Sequence, residues 1–73
     1  MAGVISAGSL VEVSDLWDEE LDTWVDCPPQ IGLVIDSQMD ENENNMLFLY
    51  VPGAPQMEGV PYYSSEVVLL WNP

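Results

Sequence analysis

The sequence predicts an all-β fold, a small barrel of five short strands. Short apolar segments alternate with turn residues along the whole 73-residue chain. Six prolines and five glycines interrupt the chain too often for long helices. A chain of this length forms one small domain with a modest core, so we expect residues 1–73 to be a single domain.

The first predicted strand, Leu10–Val13, leads into the most acidic part of the chain. The stretch Ser14–Asp26 holds six of the thirteen carboxylates and two of the three tryptophans. It has two interpretations, a long irregular first loop or a loop that contains a short helical turn. The helical turn is favoured by N-cap residues at its start and by the i, i+4, i+7 spacing of Trp17, Leu21 and Trp24. Two consecutive prolines then end the stretch in either case.

Four further apolar runs predict the remaining strands: Ile31–Asp36, Met46–Val51, Val60–Tyr63 and Val67–Trp71. The second strand lacks polar alternation, which predicts burial on both faces, and Gly32 indicates a bulge or a close approach of another segment. Residues 37–45 read as a polar hairpin turn with Asn44 and Asn45 able to take the left-handed conformation. Residues 52–59 read as a loop, and Ser64–Glu66 as a single turn, with a 3₁₀ conformation left open.

Apolar side chains fall on both faces of the third and last strands, although a barrel has only one interior. Leu47, Leu49 and Val51 share one face of the third strand. We expect Phe48 and Trp71 in the core, and the neighbouring tyrosines 62 and 63 on opposite faces, one of them exposed. Part of the outer apolar set must be covered by the acidic stretch or another chain, or form an exposed patch.

The charge balance limits the kinds of partner. The chain has thirteen Asp and Glu and no Lys, Arg or His, a formal net charge of −13. Its carboxylates therefore repel one another without compensation. Direct nucleic-acid binding requires cations that the chain does not supply, and anionic membranes are disfavoured for the same reason. A basic protein surface or a divalent cation is the natural partner, and of the two we expect the protein surface; a homo-oligomer or larger assembly stays open.

The residue types argue against catalysis and bound cofactors. No side chain is available for a histidine acid–base relay, for Schiff-base chemistry or for stabilising an anionic transition state. Asp40, Asn42 and Asn44 have the spacing of the first EF-hand ligands, but Asn45 replaces the glycine and Val51 the final glutamate. A polar hairpin turn is the better interpretation. We therefore expect no enzyme activity, no specific metal ligands and no cofactor, and leave weak, non-specific divalent-cation binding to the acidic clusters open.

The cellular compartment is predicted from three features that the sequence lacks: a signal peptide, a membrane span and a second cysteine. The start of the chain has no basic residue of a signal peptide, and no stretch approaches the roughly 20 apolar residues of a membrane span. The single cysteine, Cys27, excludes an internal disulfide, and we expect it to be a buried or half-buried thiol in a reducing compartment. These features favour a soluble intracellular protein.

Three motifs resemble small SH3-like barrel proteins of tailed bacteriophages, which open on Gly-x-Leu-Val, continue with Ile-Gly-x-Val and close after an aromatic-Tyr-Ser-Ser segment. The corresponding segments here are Gly8-Ser9-Leu10-Val11-Glu12-Val13, Ile31-Gly32-Leu33-Val34-Ile35-Asp36 and Tyr62-Tyr63-Ser64-Ser65-Glu66-Val67. The resemblance covers most of the chain outside 14–26. It implies a five-stranded SH3-like barrel and a phage protein located in the host cytoplasm or the virion, without a single activity to carry over. The chain departs from the family in having no Lys or Arg, which argues further against nucleic-acid binding.

Two functions follow from these observations, and both are interactions. In the first, the chain is an acidic module that binds a basic surface of a host or viral protein, as a nucleic-acid mimic or inhibitor. Its carboxylate density is comparable with that of duplex DNA, which carries one charge about every 1.7 Å of axis. The predicted partner-binding residues are Asp15, Trp17, Asp18, Glu19, Glu20, Asp22, Trp24 and Asp26. In the second, the chain is a minor structural component of a virion or other assembly, docked through its apolar outer strands.

The role of the two tryptophans separates two models of the acidic stretch. Packed against the barrel, Trp17 and Trp24 make it a lid. Exposed beside the carboxylates, they are anchors for a partner, since tryptophan is enriched at the residues that dominate binding energy.

Overall fold

A computed structural model describes residues 4–54 and 60–73. The strands are β1 (Leu10–Asp18), β2 (Thr23–Met39), β3 (Asn45–Tyr50), β4 (Tyr62–Tyr63) and β5 (Val68–Trp71), and a 3₁₀ turn (Ser64–Glu66) joins β4 to β5. They form one open antiparallel sheet in the order β4-β3-β2-β1-β5. The all-β prediction and the turn at 64–66 are confirmed. Residues 55–59 of the predicted loop lie outside the described residues.

The first hairpin corrects the interpretation of the acidic stretch. β1 continues to Asp18 and β2 already begins at Thr23, so residues 14–26 form paired strands around a short turn. Both the irregular loop and the helical turn are wrong. Trp17 and Trp24 are direct cross-strand partners instead of neighbours on a helix. An aromatic cross-strand pair packed on a core is more stable than one isolated helical turn, whose nucleation is unfavourable.

The two prolines lie inside β2 and do not end an element. Val13 pairs with Gln30 and Asp15 pairs with Asp26, so three residues of β2, which include Pro28 and Pro29, lie opposite one residue of β1. Proline cannot donate to a ladder, and a bulge is a place where that donor is not needed. The bulge therefore lets β2 continue through a sequence that is typical of a strand end.

The sheet is strongly curved. A strand of 17 residues would extend for about 55 Å at about 3.3 Å per residue, yet the longest dimension of the molecule is 37 Å. β2 bends at the proline bulge and at a second irregularity between Val34 and Asp36. This curvature brings β4, at one edge of the sheet, close to the first hairpin. Tyr62 of β4 donates a 2.6 Å hydrogen bond to the carbonyl oxygen of Asp15 in β1.

The core lies on one face of the curved sheet. Its buried apolar side chains, most of which alternate along the strands with more exposed ones, are Ile5, Val11, Val13, Val34, Leu47, Leu49, Val51 and Tyr62. The shared face of Leu47, Leu49 and Val51 is confirmed, and so is the prediction that one tyrosine of β4 is exposed. Gly32 meets a close approach as predicted, because a Cβ atom there would lie 3.3 Å from side-chain carbons of Leu49 and Val51.

Two burial predictions are wrong, for the same reason. The second predicted strand is buried on one face only, since Ile31, Leu33 and Ile35 are exposed. Trp71, expected in the core, is 55% exposed, and Phe48 is half-buried. The described strands form a single sheet with one core face, so apolar residues of its opposite face remain at the surface.

The β2–β3 turn is the predicted polar hairpin. Oδ1 of Asp40 accepts hydrogen bonds from the backbone amides of Asn42 and Asn44, both at 2.8 Å. These bonds, that of Asn44 first, hold the pKa of Asp40 below its usual range. The left-handed residue is Glu43, with φ of 63°, and not Asn44 or Asn45 as predicted. Asn45 instead begins β3 and is buried.

Candidate partner-binding site, the acidic hairpin

We use the name acidic hairpin for residues 14–26, the distal part of the β1–β2 pair. Its turn spans residues 19–22 and is held by Asp18. Oδ1 of Asp18 accepts hydrogen bonds from the backbone amides of Glu20 and Leu21, at 2.9 and 3.1 Å. Asp22 takes the left-handed conformation, with φ of 53°, which aspartate tolerates better than most residues. The side chains of Glu19, Glu20 and Asp22 are therefore exposed on an ordered turn.

An aromatic cluster anchors the acidic hairpin to the core. The rings of Trp17 and Trp24 meet edge to face, with 5.4 Å between centroids. The Trp24 ring lies 4.8 Å from that of Tyr62, which is fully buried. Both tryptophans are half-buried and pack against the core. This arrangement matches the lid interpretation, because the rings hold the hairpin in place.

Two carboxylates of the acidic hairpin face each other across the strands. Asp15 and Asp26 are direct cross-strand partners, a position in which like charges are destabilising. Desolvation raises the pKa of Asp15 above its usual value, and the charges of Glu66 and Asp26 raise it further. Glu66 belongs to the 3₁₀ turn and was not among the predicted site residues. A cation from outside the chain would relieve this repulsion, since the sequence has none of its own.

A hollow lined by both apolar and acidic residues lies beside the turn, and we call its apolar lining the floor and its carboxylates the rim. It has a volume of about 480 Å³ and is lined by Leu16, Trp17, Asp18, Glu19, Glu20, Val25 and Cys27. Leu16 and Val25 are cross-strand partners, and Cys27 is a free, half-buried thiol, as predicted. Lysine and arginine combine an aliphatic stem with a charged end. The hollow is chemically suited to such a side chain, with the stem on the floor and the cation at the rim.

The structure separates the eight predicted binding residues into three groups. Asp18, Glu19 and Glu20 form the rim of the hollow, with Asp22 exposed close by in the turn. Asp15 and Asp26 form the cross-strand pair. The tryptophans form the anchor. The sequence reasoning missed the floor residues, since the pairing of Leu16 with Val25 becomes visible only when the hairpin register is known.

The chain matches no protein-family model, no curated protein and no solved structure. Within residues 4–54 and 60–73, no group of three His, Cys, Asp or Glu side chains is arranged to hold a metal ion. The same residues include no helix with the length and apolarity needed to cross a membrane.

Proposed function

We propose that this protein is a non-enzymatic interaction module whose acidic hairpin binds a basic surface of another protein. The observation that carries the proposal is the hollow beside Asp18, which joins an apolar floor to a rim of three carboxylates. An apolar floor supplies contact area, and the rim selects for positive charge. The aromatic anchor fixes the hairpin before binding, which reduces the ordering cost of association.

Charge complementarity supports this partner chemistry. With a formal net charge of −13 and no basic side chain, the chain attracts cationic surfaces and repels anionic ones. Such a field accelerates association and makes it sensitive to salt. A partner that normally binds nucleic acid offers a surface of this kind, so the module acts as a nucleic-acid mimic or inhibitor of a host or viral protein.

The fold and origin that we propose are those of an SH3-like barrel protein of a tailed phage. The opening, second-strand and closing motifs of the sequence support this assignment. Five antiparallel strands, a 3₁₀ turn before the last strand and a strongly bent β2 are compatible with it. The host cytoplasm or the virion is the corresponding location.

A structural role in a virion or other assembly is the second candidate. It is favoured by β5, whose four residues are all apolar and all exposed. An edge strand of this kind is a natural contact surface within a larger assembly. A stoichiometric copy in purified particles is expected under this role, and its absence by mass spectrometry would contradict it.

Competition with DNA tests the binding role of the acidic hairpin. A purified linker histone is bound to labelled duplex DNA at low salt, and the protein is added in increasing amounts. We expect the wild-type protein to displace DNA and the variant Asp18→Asn/Glu19→Gln/Glu20→Gln to displace it poorly. Thermal melting of each variant confirms that it is folded.

A matched variant separates the site from total charge. Asp40→Asn/Glu41→Gln/Glu43→Gln also removes three carboxylates, and it too alters one turn-capping aspartate and two exposed glutamates. We expect it to compete nearly as well as the wild type. Equal loss in both variants would show that only net charge matters, and unchanged competition in the first variant would refute the site.

A further inference from the structure

The outer face of the sheet carries a continuous apolar row across four strands. Leu10 of β1 pairs with Trp71 of β5 on one side and with Leu33 of β2 on the other, and Leu33 pairs with Tyr50 of β3. Cross-strand partners project to the same face, so the four side chains lie next to one another. Their exposed fractions are 55% for Trp71, 36% for Leu10, 39% for Leu33 and 57% for Tyr50.

This outer row differs from the scattered apolar residues that every protein surface contains. Its members are contiguous by register, and exposed Ile31 and Val68 extend the apolar surface on one side. Large contiguous apolar patches on soluble proteins usually mark interaction sites. Aromatic residues such as those at the two ends of the outer row are enriched at interfaces.

Carboxylates border the outer row on both sides. Glu12 lies between Ile31 and Val68 in the adjacent register position. Asp36 pairs with Phe48 on the opposite side, and its carboxylate is exposed. A surface that covers the outer row therefore meets negative charge at its edges.

A second copy of the chain is a poor occupant of this face. Each copy brings a formal charge of −13 and no cation, so the bordering carboxylates would face further negative charge. Like-charge juxtaposition of this kind suppresses association. A partner that is apolar at its centre and rich in lysine or arginine at its rim removes the conflict, because it buries the outer row and neutralises the border.

We propose that the outer row is a docking face for a partner protein whose surface carries an apolar ridge flanked by lysine or arginine side chains. The inference rests on the proposed function only in taking a basic protein as the partner. It assigns a surface distinct from the acidic hairpin. In this arrangement long-range charge speeds encounter, and burial of the outer row provides the affinity.

Two synthetic peptides of equal length and charge test the proposal, one alternating Leu and Lys and the other alternating Ser and Lys. We expect the wild-type protein to bind the Leu–Lys peptide about tenfold more tightly in calorimetry, since only this peptide covers apolar surface. Amide chemical shifts of Leu10, Leu33, Tyr50 and Trp71 should then change. The tighter binding of the Leu–Lys peptide should disappear in the variant Leu33→Thr/Tyr50→Thr. Threonine is chosen because it is compatible with β-strands and so preserves the fold.

Controls distinguish this inference from the proposed function. Leu21→Thr removes an exposed apolar side chain from the turn of the acidic hairpin and should keep the preference. Equal affinity for both peptides, or shifts confined to residues 18–22, would overturn the docking face while leaving the acidic hairpin as the site. A wild-type dimer in sedimentation that Leu33→Thr/Tyr50→Thr abolishes would assign the face to a second copy and also overturn the proposal. A retained preference in Asp18→Asn/Glu19→Gln/Glu20→Gln would support the outer row independently of the hairpin.

Discussion

The substitution Tyr62→Phe tests whether the acidic hairpin is fastened to the core as the structure shows. The Tyr62 side chain is fully buried, and its hydroxyl donates a 2.6 Å hydrogen bond to the Asp15 carbonyl. Desolvation, and then the nearby Asp15 charge, raise the pKa of the Tyr62 hydroxyl, which keeps it protonated as a donor. Phenylalanine retains the ring and its contact with Trp24 while it removes this donor.

The expected cost follows from the hydrogen bond alone. The substitution removes the hydrogen bond to the Asp15 carbonyl oxygen and leaves that acceptor with one donor fewer. We expect this loss to reduce the free energy of unfolding by about 1–2 kcal/mol. For a domain of this size, each kcal/mol corresponds to a change in Tm of about 4–8 °C. Urea unfolding followed by tryptophan fluorescence measures the loss directly.

Tyr50→Phe is the matched control, because it removes an exposed hydroxyl from the same residue type. We expect its free energy of unfolding to stay within about 0.5 kcal/mol of the wild type. Hydrogen exchange gives a local readout, in which amides of the acidic hairpin should exchange faster in Tyr62→Phe. Equal stability of the two variants would refute the fastening role of Tyr62.

Four further predictions concern packing and charge. Asn45→Ala should lower the free energy of unfolding in urea by about 1–3 kcal/mol. It removes the side-chain oxygen that accepts a 2.8 Å hydrogen bond from the backbone amide of Ile5. Gly32→Val should cost about 1–3 kcal/mol through overpacking, since even a Cβ atom there already lies 3.3 Å from its neighbours. The raised pKa of Asp15 means that protonation favours the folded state, so Tm should rise as pH falls from about 7 towards about 4. Asp15→Asn should raise stability at neutral pH by about 0.5 kcal/mol and weaken that pH dependence.

Each of these predictions has an outcome that contradicts it. Asn42→Ala, in the exposed β2–β3 turn, is the control for Asn45, and equal effects would argue against the buried hydrogen bond between Ile5 and Asn45. An unchanged Tm in Gly32→Val would show that the side chains of Leu49 and Val51 move aside at little energetic cost. The sign of the pH effect reverses at low pH, because protonation of Asp40 removes hydrogen bonds that lower its pKa. A Tm that falls steadily from neutral pH would therefore contradict the role of Asp15.

Short apolar runs bounded by turn residues were sufficient to predict most strands. Leu47, Leu49 and Val51 alternate with larger residues, and this pattern correctly placed them on one face. Gly32 correctly indicated that another segment approaches the backbone closely there, and the structure places the side chains of Leu49 and Val51 at this position. These features are local, since neighbouring residues alone determine which side chains share a strand face.

The acidic hairpin could not be predicted because its stabilising contacts are non-local. Trp17 and Trp24 are spaced as two positions on one helix face, and the same spacing also suits partners across a four-residue turn. The contact of Trp24 with Tyr62, far along the chain, distinguishes the hairpin from the helix. The exposure of Trp71 was missed for a related reason, because hydrophobicity does not reveal whether a second layer covers a sheet.

Amide chemical-shift mapping with an oligolysine peptide tests most directly whether the acidic hairpin is the site for a basic partner. The peptide is titrated into isotopically labelled protein at low salt and again at physiological salt. We predict that the largest shifts occur in residues 14–26, exceed those in the β2–β3 turn around Asp40, and weaken as salt increases. Shifts of equal size at every exposed carboxylate would contradict the account, because they would show attraction to net charge without a binding site.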